Sequence, residues 1–347
     1  MDLLSILYIG DLSVGSNSLY RSRALSRLGH VVQSVDTRRL FSPKSNYLGK
    51  FHYLTGYRFR QRFNFNALSA MSDSFGASYD AVWIDSGAWF GPKVLDFFNK
   101  LSSCVILWNN DDPFGSREPY MWHSLKRAAH LYAHVATVRQ VSASDFGKFG
   151  AKSVAVYPMG FDEVEHCIEN ANSVPKNSFQ SEVSFVGTFM EDRDIFLLDL
   201  IKKGVPLAIW GNRYEKSRYW SRLRPYWRGA GISGPEYVAS INRSKVSLGL
   251  LSRLNRDLYT TRSSEIPVCG GLFCGKRTEA HMKMFQEDVE AVFWDDSSEC
   301  AKKCHDLLEK PQHLSSIKEN GTKRIQVLGF NNELVCSRVL SDALRCV

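Results

Sequence analysis

The run Tyr259-Thr-Thr-Arg262-Ser-Ser-Glu265-Ile-Pro-Val-Cys-Gly270-Gly271-Leu-Phe273 holds the residues of this chain best suited to chemistry. Arg262 and Glu265 are three apart, which makes them neighbours on a helix. A cation and a hydrogen-bond acceptor side by side at a helix start suit a nucleoside diphosphate. The arginine and the free N–H groups take the phosphates, and the carboxylate takes ribose hydroxyls. The same spacing also describes an ordinary surface ion pair, so its setting has to decide. A second concentration of acids and amides is Asn109-Asn110-Asp111-Asp112-Pro113. Asp111 or Asp112 could meet sugar or acceptor hydroxyls there, or serve as a base; Asp and Asn ahead of proline equally form turns. Asp85 is a further candidate base.

These groups need rigid elements behind them, and the chain supplies strand and helix in alternation. Leu3 to Ile9 reads as an apolar strand, Gly10 to Asn17 as a polar loop, Leu19 to Leu28 as an amphipathic helix capped by Gly29, and Val31 to Val35 as the next strand. The pitch continues through strand 81–84 ending at Asp85, helix 92–101, strand 104–108 ending at the Asn-Asn-Asp-Asp run, strand 135–138, a short helix opening at 142–145, and strand 154–157. Such alternation implies a parallel sheet with ligands at the carboxyl ends of its strands. The loop Gly10-Asp-Leu-Ser-Val-Gly15 is not a Gly-x-Gly-x-x-Gly fingerprint and reads as a cleft wall.

The polar stretch Phe161 to Gln180 has no sustained period and reads as an interdomain linker. After it the pattern restarts: strand 183–186 ending at Gly187-Thr188, a helix from Asp194 to Lys202 introduced by Glu191-Asp192-Arg193, and strand 207–210 ended by Gly211. A helix 237–244, strand 246–250, the Arg262 motif, strands 271–274 and 291–294 and a helix 298–308 follow. The expected organisation is α/β, with two Rossmann-like domains facing a central cleft: an acceptor-side domain at 1–165 and a nucleotide-sugar-binding domain at 181–325. A terminal helix at 326–347 packs back towards the first. Length agrees, since 347 residues exceed what one core usually serves.

Composition is that of a soluble globular enzyme, with 44% hydrophobic and 23% charged residues. A formal charge of +8 implies attraction to anions, whether nucleotide phosphates, an anionic membrane or nucleic acid. Basic residues cluster with aromatics in Tyr57-Arg-Phe-Arg-Gln-Arg62 and from Arg213 to Arg228. Each cluster fits an amphipathic interfacial patch, a single-stranded nucleic-acid platform, or a solvated face with its aromatics turned inward. Cysteines at 104, 167, 269, 274, 300, 304, 336 and 346 form no Cys-x-x-Cys unit, so metal binding through them is not expected. The start of the chain lacks the basic run of a signal peptide, and no segment reaches about 18 consecutive apolar residues. A cytoplasmic protein with reduced thiols, at most peripheral at the inner membrane face, is the expectation.

The order of these pieces resembles the spore-maturation-type glycosyltransferase-like family, close to the family-four glycosyltransferases of the GT-B fold. The resemblance rests on Ser184-Phe-Val-Gly187-Thr188 with Arg193, Ile209-Trp-Gly211, Gly234-Pro-Glu-Tyr237 through Lys245-Val-Ser-Leu248, the Arg262 to Gly271 motif, and Phe285-Gln-Glu to Phe293-Trp-Asp295. It covers most of the second half and, more weakly, the opening strand, loop and helix. It implies a nucleotide-sugar donor held by Gly187, Thr188, Arg193, Gly211, Tyr237, Arg262 and Glu265, with Glu265 on the ribose and the arginines on the diphosphate. Asp257 falls where the related Glu-x7-Glu pattern keeps its first acid, shortened here to aspartate. The implied reaction is metal-independent, retaining transfer to a glycan, lipid-linked or protein acceptor in bacterial surface glycan or glycoconjugate synthesis, with no cofactor and no metal. Two arginines and a helix start can stabilise the departing diphosphate without a metal ion. Competing expectations are a sugar-nucleotide epimerase of the same fold, a basic nucleic-acid-binding or DNA-glycosylating protein, and a non-catalytic scaffold.

Overall fold

The computed structural model describes residues 3–41, 45–190, 192–252 and 254–347. The chain divides into two compact units, one of residues 1–158, 254–256 and 332–347, the other of residues 159–253 and 257–331.

The first unit is built on β1 (Ser5–Gly10), β2 (Val31–Asp36), β3 (Ala81–Asp85), β4 (Val105–Asn109), β5 (His134–Thr137) and β6 (Val154–Val156). They form a parallel sheet in the order β2-β1-β3-β4-β5-β6. Every residue of β3 and β4 is buried, as a parallel strand covered by helices on both faces requires, and this explains their unbroken apolar runs. Ser16 accepts from the Leu19 amide at 3.1 Å to start the helix Asn17–Arg27, and Pro92 occupies the first turn of the helix Pro92–Leu101. The terminal helix Asn332–Leu344 belongs to this unit: it packs on Asn17–Arg27, Arg27 pairs with Glu333, and Tyr157 donates to Asp342 Oδ2 at 2.8 Å. Between β2 and β3, where the sequence shows no regular pattern, lie three short helices, Thr37–Phe41, Asn46–Leu54 and Gln61–Ser69.

The second unit repeats the plan with β7 (Ser181–Val186), β8 (Leu207–Trp210), β9 (Trp227–Gly229), β10 (Ser244–Gly249), β11 (Phe273–Lys276) and β12 (Val292–Trp294). Its parallel order is β12-β11-β10-β7-β8-β9, so the winding reverses between β7 and β10. Each unit is thus a Rossmann-like doubly wound layer. The stretch 161–180, expected as a linker, instead packs on this unit. Arg243, at the end of the helix Gly234–Asn242, donates to the carbonyls of Ala171, Val174, Pro175 and Ser178 at 2.6–2.9 Å. One guanidinium gathers four carbonyls of the segment, including that of Ala171 in the 3-10 helix Ile168–Ser173, while Phe161, Ala171 and Val174 anchor it in the core, so it holds its shape without an apolar period.

Candidate functional site

In open α/β sheets the crevice at the carboxyl ends of the strands, where the winding reverses, is where ligands bind. In the second unit that point lies between β7 and β10, and Arg193 spans it. Its Nη1 donates to the Thr188 carbonyl after β7 at 3.2 Å, and its Nη2 to the Leu250 carbonyl after β10 at 3.0 Å. Gly187 and Gly211 end β7 and β8 in close contact: a Cβ on Gly211 would lie 2.0 Å from the Gly187 carbonyl oxygen, so only glycine fits. Arg262, first residue of the helix Arg262–Val268, donates through Nε to the last carbonyl of β7, Val186, at 3.3 Å. Its guanidinium carbon lies 4.8 Å from the centroid of the Tyr237 ring and its Nη1 pairs with Glu265. Two guanidiniums therefore sit at the switch-point edge, a preorganised positive field for a diphosphate.

Glu265 is 2% exposed. Its Oε2 accepts from Tyr237 Oη at 2.8 Å and from Arg262, while Oε1 lies 3.9 Å from His166 Nε2. Burial pushes this carboxyl up, but Arg262, His166 and Tyr237 together outweigh it and hold the group below its ordinary range. Burial, supported by the Glu265 charge, raises the Tyr237 phenol well above normal. The helix is fixed from its other side by Ser263, whose Oγ lies 2.8 Å from His281 Nε2, and by His281 Nδ1 at 2.7 Å from the Lys276 carbonyl. Desolvation drops His281 to about 4, so it is a neutral anchor. His166 and the Ser263–His281 pair carry no motif that sequence reading could have found; they enter from loops and helices distant along the chain. A hollow of about 520 Å³ opens beside this edge, lined by Phe189, Asp192, Asp194, Ile195, Arg213, Lys216 and Arg218. Glu191, expected at the helix entry, lies outside the described residues. A larger hollow of about 680 Å³, with Ser181, Leu207, Arg243 and Lys245 in its wall, lies at the opposite edge, where the strands begin and carry none of these groups.

The acids expected in the first unit separate by environment. Asp85, at the end of β3, accepts from Tyr8 Oη at 2.8 Å and from Arg21 Nε at 2.8 Å and is buried, so its charge is already spent inside the unit. Asp112 is likewise engaged: Arg256 reaches its two oxygens at 2.7 and 2.5 Å and also Asp145 at 2.8 Å. Burial raises the Asp112 carboxyl, the Arg256 bonds lower it further, and it titrates below its usual range. Asp111 differs. Among the described residues no hydrogen bond reaches its carboxylate, and desolvation, opposed by Arg139, pushes it up to about 6. Arg139 instead holds the Asp111 carbonyl at 2.7 Å, fixing the backbone after β4. Asp257 is half-buried in the loop before the Arg262 helix.

Two further clusters follow from the fold. Cys274 on β11 and Cys300 and Cys304 on the helix Ser297–Leu308 bring three buried thiol sulfurs within 4.8 Å of one another, inside the apolar core. Spacing in sequence conceals this trio, which offers three soft donors where a structural zinc site takes four. In the stretch 213–228 the aromatics Tyr219, Trp220, Tyr226 and Trp227 pack against the core while Lys216, Arg218, Arg222 and Arg224 are exposed. The inward-facing reading holds there.

Two doubly wound units, one with paired arginines at its switch point, form an architecture of the GT-B kind. Residues 193–333 match a family model described as glycosyl transferase-like. Among solved structures the chain is similar to sucrose-phosphate synthase from Thermosynechococcus elongatus (TM-score 0.69, 14% identity, covering 96% of this chain and 97% of that one). It is also similar to Anabaena HepE in complex with UDP-glucose (TM-score 0.64, 13% identity, 97% and 98%). A third is AviGT4, a glycosyltransferase involved in avilamycin A biosynthesis (TM-score 0.61, 13% identity, 98% and 97%). A search of the curated proteins by sequence finds no significant match. At these identities the likeness establishes the fold, which extends over both units.

Proposed function

We propose that the protein is a glycosyltransferase that takes a sugar from a nucleoside diphosphate and passes it to an acceptor hydroxyl. The carrying observation is Arg193 and Arg262 at the β7–β10 switch point. A departing diphosphate gains negative charge, and fixed guanidiniums stabilise it without reorganising. Glu265 serves the nucleoside side: exchange of its Arg262 contact for ribose hydroxyls on binding would free Arg262 for phosphate. Gly187, Thr188, Gly211 and Tyr237 shape the donor pocket, and Asp257 faces the sugar. UDP is the first donor nucleotide to test, because HepE holds UDP-glucose and UDP in its complexes. The match over 193–333 supports donor binding by the second unit, with the acceptor, a glycan, lipid-linked or protein hydroxyl, taken by the first.

The proposal includes metal-independent, retaining transfer in bacterial surface glycan or glycoconjugate synthesis, at the narrower level of the spore-maturation-type group. One observation favours a second reading of the stereochemistry. Asp111, whose carboxylate meets no hydrogen-bond partner among the described residues and is pushed up to about 6 by burial, has the properties of a general base, which an inverting enzyme needs. The test is a thermal-shift screen against UDP, GDP, CMP, ADP and TDP sugars, in which a donor at 100 times its Kd adds about 2.7 kcal/mol. Turnover with the donor that shifts stability, in the presence of a chelator, then separates the classes. Product only with added acceptor supports transfer, an epimerised nucleotide sugar without acceptor replaces it by epimerisation, and absence of any nucleotide shift removes the reading. The anomeric configuration of the product distinguishes retention from inversion.

A further inference from the structure

Of the two basic aromatic clusters, the one in the first unit buries Tyr57 but leaves Phe59 outside, continuous with the exposed apolar groups of the helix before it. In the helix Asn46–Leu54 no residue is buried. Tyr47, Leu48, Phe51 and Leu54 fall within one stripe of the helix and are 90, 52, 49 and 51% exposed, whereas Gly49, His52 and Tyr53 are the half-buried positions. The amphipathic helix is thus inverted: its apolar stripe faces solvent. The turn after it, Gly56-Tyr57, is left-handed at both residues (φ 58° and 56°) and returns the chain so that Phe59 stacks on Phe51 with centroids 5.7 Å apart. A Cβ on Gly56 would lie 2.3 Å from the Tyr120 carbonyl oxygen, so the turn is seated closely on that segment. Phe59 and Phe63 extend the apolar surface, 59 and 53% exposed.

Along the sequence the charge of this segment has one sign, and the carboxylate that meets the helix, Glu118 at Tyr53, lies on its half-buried side. Residues 37–72 contain Arg38, Arg39, Lys44, Lys50, Arg58, Arg60 and Arg62 and no aspartate or glutamate, a net +7 against +8 for the whole chain. Lys50, Arg58 and Arg62 are exposed, and among the described residues none of them meets a carboxylate. Exposed aliphatic and aromatic side chains ringed by unpaired cations are the pattern of a segment lying in a bilayer interface, where the apolar groups enter the acyl boundary and the cations meet anionic headgroups.

We propose that the segment 46–63 is a docking surface for an anionic lipid membrane. This goes beyond sugar transfer and does not depend on it. A second copy of the chain is disfavoured because it would set the same cations face to face. Nucleic acid is disfavoured because Phe51 and Phe59 stack on each other and Leu48 and Leu54 beside them offer bases no stacking face. No described helix is long and apolar enough to cross a membrane, so the contact is peripheral.

The test is co-sedimentation of the full-length protein with phosphatidylcholine vesicles, with and without phosphatidylglycerol, at two salt concentrations. The expected result is at least about tenfold stronger partitioning to the anionic vesicles, weakened by salt. Leu48→Ser/Phe51→Ser/Leu54→Ser and, separately, Arg58→Glu/Arg62→Glu each lose about tenfold or more of it while keeping the wild-type melting temperature and nucleotide affinity. Because these side chains are exposed, both variants fold. Equal partitioning of wild type and both variants overturns the proposal. So does tighter binding of single-stranded RNA than of vesicles, or a concentration-dependent dimer that either variant dissolves.

Discussion

Glu265 is a carboxylate that has given up nearly all its water and kept its charge, because Arg262 and Tyr237 bind one oxygen and His166 faces the other. Its titration lies below the ordinary 4.5, so the stability it provides is present above that pH and is lost as pH falls through the folded value. Unfolding midpoints measured across the acid range should therefore drop more steeply in the wild type than in Glu265→Gln. Arg262→Ala should weaken nucleoside diphosphate binding by about 1–3 kcal/mol in calorimetry, the scale for losing a charge-assisted hydrogen bond. Unchanged affinity in that variant would dismiss the site. Asp111 carries the opposite shift. Raised to about 6, it binds its proton more tightly folded than unfolded, so its ionisation destabilises the fold slightly as pH rises towards 6 and makes the carboxylate available only above that. Under the inverting reading the rate of transfer should accordingly rise with pH through about 6 and Asp111→Asn should erase that limb of kcat/KM, whereas a retaining enzyme keeps its profile in that variant. Asp112, next in sequence, should show no such limb, since Arg256 already holds it ionised. That neighbouring aspartates divide in this way could not be read from Asn-Asn-Asp-Asp-Pro, which names the acids but not their partners.

At the scale of elements, strands announced themselves. β3 and β4 are apolar runs ending in Asp and Asn and β8 is an apolar run followed by Gly211, whereas β10 carries Lys245 and two serines; the sequence places each within one or two residues of its structural bounds. Segments whose order comes from polar contacts did not. The stretch 161–180 has no period because Arg243 gathers four of its carbonyls while irregularly spaced apolar residues, Phe161, Ala171 and Val174, anchor it to the core. Arg243→Ala should leave the sheet intact but open this stretch, seen as new protease cleavage between 170 and 180 and a stability loss of about 1–3 kcal/mol. Resistance equal to the wild type would show that apolar contacts hold it instead. The helices between β2 and β3 escaped for a different reason: the apolar stripe of Asn46–Leu54 points to solvent, so it does not mark a core-facing helix.

Across the whole molecule, eight reduced cysteines sample both units, six buried, Cys167 half-buried and Cys346 exposed. Titration with a thiol reagent should find Cys346 and then Cys167 reactive in the native protein, and all eight only after denaturation. Rapid modification of Cys274, Cys300 or Cys304 would mean that the core of the second unit opens readily. By itself the sequence determined two doubly wound α/β layers, the strand ends that carry polar groups, and the Arg262–Glu265 pair, because periodicity and helical spacing are local properties of a chain. Only the tertiary structure decided that Arg193 bridges β7 and β10, that His166 faces Glu265, that Arg256 engages Asp112 and leaves Asp111 bare, and which basic aromatic cluster turns outward. Those depend on residues tens to more than a hundred positions apart meeting in space, and on burial, which sets whether a charge is spent inside the fold or offered to a ligand.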